Sequence, residues 1–151
     1  MKSFPNNIFF EHLEQQILTG ETVKIAMKGH SMLPFLIEDR DKIFLKKEDY
    51  NKIKIGDVLL FKYNGNYILH RFIKEDSTQL IMRGDGNLKF VEPIKKEDII
   101  AKLIKVEKQN GRIINCSDKS WIFFSSLWQI LYPLRRILLA VIRRIIFFNK
   151  K

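Results

Sequence analysis

The sequence predicts a mainly β domain with a short N-terminal helix and a C-terminal amphipathic helical tail, and three observations carry this. Short apolar, β-branched and aromatic runs recur between residues 23 and 116. Two of them meet at Asn64-Gly65-Asn66 and two more at Asn110-Gly111, and Asn-Gly between such runs is the strongest short-range hairpin signal. Beyond residue 118 the pattern changes to large aliphatics interleaved with paired arginines, which suits a helix.

The elements follow in order. Asn6 or Asn7 caps a short helix running to about Thr19, with Phe9, Leu13 and Ile17 on one face at i, i+4 spacing and Gly20 as terminator. Val23 to Lys28 alternates and reads as a strand that delivers Ser31 to the loop at its end. Lys42 to Leu45 is a second strand. Val58 to Tyr63 and Tyr67 to Ile73 form a hairpin that places His70 on a strand, Leu80 to Met82 leads into a turn at Gly84-Asp85, and Ile99 to Glu107 pairs with Arg112 to Cys116.

Composition sets bounds on this plan. At 151 residues the chain makes one compact domain plus an appendage, divided here into 1–118 and a tail of 119–151. An apolar content of 46% supports a real core. The net charge of +10 is uneven: residues 119–151 carry seven basic residues and no acid, leaving +3 for the rest. Cys116 is the only cysteine, so no intrachain disulfide forms. The first residues contain no continuous apolar stretch of signal-peptide type. There is no zinc-ligand spacing and no phosphate-cradling glycine loop, so neither a metal nor an organic cofactor is expected.

The chemistry-bearing strings are Gly29-His30-Ser31-Met32-Leu33-Pro34, then Gly56-Asp57-Val58, His70-Arg71 and Gly84-Asp85-Gly86-Asn87. In order they supply a hydroxyl nucleophile, an imidazole base and a carboxylate. A serine hydroxyl attacks well only when a neighbouring base takes its proton. Neutral imidazole suits that task, and a carboxylate on its far nitrogen fixes the tautomer and stabilises the imidazolium. Each residue alone is weak evidence, since a lone serine or histidine is ordinarily a loop or packing residue. His30 is adjacent to Ser31 on extended chain and points to the other face, so it reads as a loop histidine; His12 reads as structural or exposed. Lys62 and Lys74 flank the His70 hairpin but need strong desolvation to act as bases, so His70 ranks above both.

Taken together, these strings resemble the type I signal peptidase superfamily of serine proteases over roughly residues 23 to 106. The resemblance implies the complex β fold of that family and a Ser–His mechanism like that of its archaeal and endoplasmic-reticulum branch. It assigns Ser31 as nucleophile, His70 as base and Asp85 as the acid that orients it, and it implies cleavage after small residues of a peptide or precursor protein bound as an extended strand. Met32, Pro34 and Phe35 would border the substrate cleft, or simply pack the loop. Arg71 either braces the acid box or is an exposed strand cation. The departures are specific. The hydroxyl residue found two places before the nucleophile in bacterial members is Gly29 here, leaving a backbone N–H, that of Ser31, for the oxyanion. The nearest later acid is Glu92, at a different spacing. The Ile-Gly-Lys that follows reads Ile100-Ala101-Lys102, and the customary N-terminal anchor is not seen.

The tail is uncharged from Ser120 to Leu134, shorter than the roughly 18 residues that argue for a spanning helix, and arginine pairs interrupt it at 135–136 and 143–144. Wound as a helix, Arg135, Arg136, Arg143 and Arg144 share one broad half and Leu134, Ile137, Leu138, Val141, Ile142 and Ile145 the other. With Trp121 and Trp128 at headgroup level, this is the pattern of a helix lying in a membrane interface, peripheral or monotopic, with the anionic cytoplasmic leaflet favoured. A core helix or a helix docked on a partner protein is the alternative, and nucleic acid is not the expected partner. The functional expectation is a membrane-associated serine endopeptidase. Its rivals are a catalytically idle membrane-bound peptide-binding adaptor and a self-cleaving regulator of the same superfamily, for whose DNA-binding helix pair the N-terminus leaves no room.

Overall fold

A computed structural model describes residues 7–149. Its centre is an eight-stranded antiparallel sheet that curls into half a barrel, with three α-helices around it. The strands are β1 (Val23–Ala26), β2 (Lys42–Lys46), β3 (Val58–Tyr63), β4 (Asn66–Asp76), β5 (Gln79–Arg83), β6 (Glu92–Ile94), β7 (Ile99–Glu107) and β8 (Ile113–Asn115). They are ordered β1-β2-β7-β3-β4-β5-β6, and β8 extends the β3 side of β7. The mainly β reading is met, and both Asn-Gly turns join paired strands. At the first, Asn64 and Gly65 both take positive φ, 49° and 76°, the conformation a two-residue hairpin needs to match strand twist. β6 was not expected: three residues with a proline in the middle give no periodic signal, and Pro93 is tolerated because the strand lies at the sheet edge.

The first helix, α1 (Asn7–Leu18), buries Phe10, Leu13 and Ile17, and Phe10 stacks on Tyr67 at 4.8 Å. The inward face is thus turned from the expected one, since Phe9 is half exposed. A cap by Asn6 lies outside the described residues. The main core joins α1 to the face of the sheet carrying Leu60, Leu69 and Leu103, and a second cluster around Phe61, Phe72 and Met82 covers the opposite face.

The tail is not an appendage. It forms α2 (Lys119–Ile130), a 3-10 turn at Tyr132–Leu134 and α3 (Arg135–Phe148), and none of the helices among the described residues is long and apolar enough to cross a membrane. Trp121, Ser125 and Trp128 follow at i, i+4 and i+7 and face inward. Trp121 enters the main core, and Trp128 packs with Leu33 and Leu139 in a third cluster. The expectation that both tryptophans sit at lipid headgroups is therefore corrected, because both indole rings find an apolar wall, and that of Trp128 also a carbonyl acceptor. Arg135 is corrected likewise. It is 1% exposed, lies over the rings of Trp128 and Tyr132, and donates to the carbonyls of Trp128 and Asn87. Desolvation, with Arg83 nearby, lowers its pKa to about 10.

Candidate active site

Ser31 opens a turn that follows β1, and the turn is anchored from three sides. Met32 and Leu36 plug into the main core and Leu33 into the Trp128 cluster, all fully buried. At the base of the loop Asp41 accepts from the Ile37 N–H at 2.9 Å, and Lys108 Nζ holds both Asp41 Oδ2 and the Phe35 carbonyl at 2.7 Å. Met32 therefore packs the loop rather than bordering an open cleft. Phe35 does the same, lying edge-on to Trp121 and Trp128 under the Arg71 guanidinium. Pro34 is half-buried between them in sequence.

His70 and Arg71 are neighbours on β4 and so point to opposite faces of the sheet. Both are buried, at 1% and 0% exposure. Arg71 grips Asp85 with a two-pronged pair, Nε to Oδ1 at 2.8 Å and Nη2 to Oδ2 at 2.6 Å, and Nη1 donates to the Gly56 carbonyl at 2.7 Å. The Gly-Asp-Val string is thus part of the cradle for Arg71. Asp85 is further held by Gln129 Nε2 at 3.2 Å, so its oxygens are committed to Arg71 and the tail. The assignment of Asp85 as the acid that orients His70 is corrected. That place belongs to Glu92, whose Oε2 is 2.9 Å from His70 Nδ1, with both side chains almost fully buried. Glu92 takes this place because β6 pairs it opposite Met82 on β5, which brings it to the His70 face. The only sequence signal for it was a carboxylate a few residues after the acid box.

Gly84 joins His70 to the Ser31 loop. A Cβ at this position would collide with the Ser31 carbonyl and stand 2.9 Å from His70 Nε2, so the Ser31 backbone and the free imidazole nitrogen converge on one point. Gly86 is packed the same way: its N–H donates to the Ser31 carbonyl at 2.8 Å, and a Cβ there would lie 2.6 Å from the His30 carbonyl. The two glycines of the third string are thus needed for close backbone approach, not for turn geometry. Gly84→Ala is expected to cost about 1–3 kcal/mol through forced repacking and to lower activity at least about tenfold. Melting temperature and turnover measured together check this; a wild-type turnover would show that the approach of the two loops is immaterial.

The Ser31 hydroxyl makes no hydrogen bond within the described residues, and the Ser31 N–H donates to no protein group there. Hydrogen bonds between catalytic groups in free enzymes are often long and tighten when substrate binds. His30 forms a contact with Glu38 at 3.3 Å and meets the edge of Phe147, away from this set. Cys116, the one thiol, is no rival nucleophile: burial pushes its pKa up to about 12.

The tail closes over the third string. Trp128 Nε1 donates to the Asp85 carbonyl at 2.9 Å, Arg143 to Gly86 at 3.2 Å, Arg135 to Asn87 at 3.4 Å and Tyr132 to Leu88. Arg143 therefore has a protein partner, whereas Arg136 and Arg144 are exposed. Residues 119–149 belong to the same packed unit as the site. Set beside known proteins, the chain matches no family model and no curated protein.

Proposed function

We propose that this protein is a membrane-associated serine endopeptidase of the type I signal peptidase kind, with the fold of that family. The observation that carries this reading is the meeting of His70 Nε2 and the Ser31 backbone at Gly84, with His70 Nδ1 held by Glu92. In the proposed reaction Ser31 Oγ attacks the scissile carbonyl while His70 Nε2 takes its proton, and His70 returns the proton to the leaving amine. Water then hydrolyses the acyl-enzyme by the same route. Glu92 holds the tautomer with the proton on Nδ1 and stabilises the imidazolium. The Ser31 N–H faces the developing oxyanion, where a fixed donor in a dry site acts most strongly. The substrate is an extended peptide segment with small residues before the cut, in a signal peptide or a dedicated precursor.

Membrane association is assigned to the outer faces of α2 and α3. Ile130, Ile137, Val141 and Phe148 are exposed by 74%, 66%, 52% and 82%, with Arg136 and Arg144 also open to solvent on α3. Such an apolar face with flanking guanidinium groups suits the surface of an anionic leaflet, as at the cytoplasmic face. The test is a peptide library incubated with the full chain in non-ionic detergent and read by mass spectrometry. Cleavage after small residues, lost in Ser31→Ala and in His70→Ala, is the expected result. A folded wild-type protein that binds peptides without cutting them would overturn the reading in favour of an idle adaptor, and cleavage that survives Ser31→Ala would overturn the assignment of the nucleophile.

A further inference from the structure

A pocket of about 580 Å³ lies between α2 and the sheet, walled by the turn at Gly56-Asp57, by Ile73 and Lys74 of β4 and by Arg83. It opens where the β4–β5 register slips between Phe72 and Lys74, a bulge that re-aims side chains. Ser31, His70 and Glu92 do not line it. Its volume is that of a small-molecule site.

Two polar atoms of its lining residues have no partner among the described residues. Ser125 is 5% exposed and its Oγ is buried without a partner; Arg83 Nε is likewise buried and unpaired. A buried donor left unsatisfied is destabilising, so a ligand that accepts from both removes that penalty. Lys54 and Lys74 line the same pocket and pair with no carboxylate among the described residues. The pocket's one carboxylate, Asp57, is already taken by Lys102 Nζ at 3.1 Å and the Lys54 N–H at 2.8 Å. Arginine and lysine only donate and the serine hydroxyl can donate, so one anionic acceptor suits all four groups. Apart from Cys116, Ser126 and Gln129, whose Oε1 accepts from Arg83 Nη2 at 3.4 Å, the rest of the lining is mostly aliphatic or aromatic, and Ile55, Ile122 and Ile130 stand 63%, 52% and 74% exposed beside the opening.

We infer that this pocket binds an anionic amphiphile: a phosphate or carboxylate headgroup held by Arg83, Ser125, Lys54 and Lys74, with its alkyl chain against Ile55, Ile122 and Ile130. The inference does not rest on the peptidase reading. The same headgroup chemistry comes from a bilayer phospholipid or from a soluble alkyl phosphate.

The test uses the full chain and n-hexyl phosphate, with n-hexanol and inorganic phosphate as half-ligands, followed by calorimetry and by the fluorescence of Trp121, which lines the pocket. Hexyl phosphate is expected to saturate one site at least about tenfold more tightly than either half-ligand, and Ser125→Ala and Arg83→Gln each to weaken it by about tenfold. Lys119→Gln, outside the pocket, is expected to leave binding unchanged. Equal binding of hexanol and hexyl phosphate, or unaltered binding in both pocket variants at wild-type melting temperature, would overturn the inference. Vesicles of phosphatidylcholine with and without phosphatidylglycerol identify the source. Loss of binding to the anionic vesicles in Ser125→Ala supports a bilayer headgroup, and loss of hexyl phosphate alone supports a soluble anion.

Discussion

If the proposed mechanism holds, Glu92→Gln is expected to lower the rate of peptide-bond cleavage by about 10⁴, the loss found when a carboxylate that holds a catalytic imidazole becomes an amide. The amide keeps the shape of the side chain but can turn its NH₂ toward Nδ1, which then must accept, and the proton moves to Nε2, where it blocks the base. The 2.9 Å contact is buried with both partners almost fully enclosed, so no solvent competes to restore the right tautomer. The variant should remain folded, because a neutral amide in this site leaves no unpaired charge. Turnover and melting temperature measured on the same preparation check this. A wild-type rate in Glu92→Gln would remove Glu92 from the mechanism.

Asp85→Asn should have the opposite signature. Asp85 neutralises Arg71, a guanidinium that is 0% exposed and has both prongs on this carboxylate. Removing one member of such a buried pair strands the other charge and costs about 3–5 kcal/mol. For a domain of this size that is a fall of about 10 °C in melting temperature. The loss should be in stability first, with the fraction that stays folded retaining far more turnover than Glu92→Gln does. The pair of variants therefore separates an acid that braces the third string from one that acts on the base. A destabilised Glu92→Gln with a stable, inactive Asp85→Asn would reverse the two roles.

The strands and the hairpins were legible because their signals are local. Asn64-Gly65 demands positive φ at both residues, and the alternation of Val23–Ala26 survives as half-buried and exposed positions. The strings around Ser31 and His70 were legible for a different reason: each needs small or special residues at fixed places, and Gly84 and Gly86 turn out to be where the loops touch. What could not be read was pairing at a distance. Nothing in Glu92-Pro93-Ile94 announces a strand, and only its register against β5 sends Glu92 to the imidazole. Nothing in a run of arginines says which one ends on carbonyls, as Arg135 does on Trp128 and Asn87, and which remain in solvent. Trp121 and Trp128 are amphipathic rings that suit either a headgroup layer or a core, and the choice was made by the wall available in Phe35 and Leu33. The packing of the tail was illegible for the same reason, since its inner face has its partners in the body.

The central claim is that the 70–92 pair activates position 31. The most direct measurement is the alkylation rate of Ser31→Cys by iodoacetamide as a function of pH, with and without His70→Gln. Cys116 is a built-in slow reference, its pKa held at about 12 by burial. The account predicts a thiol at position 31 that reacts at least about tenfold faster than Cys116, that stays reactive well below the ordinary thiol pKa of about 8.5, and that loses this low-pH reactivity when His70 is replaced. A thiol at position 31 with the same pH–rate profile whether or not His70 is present would contradict it.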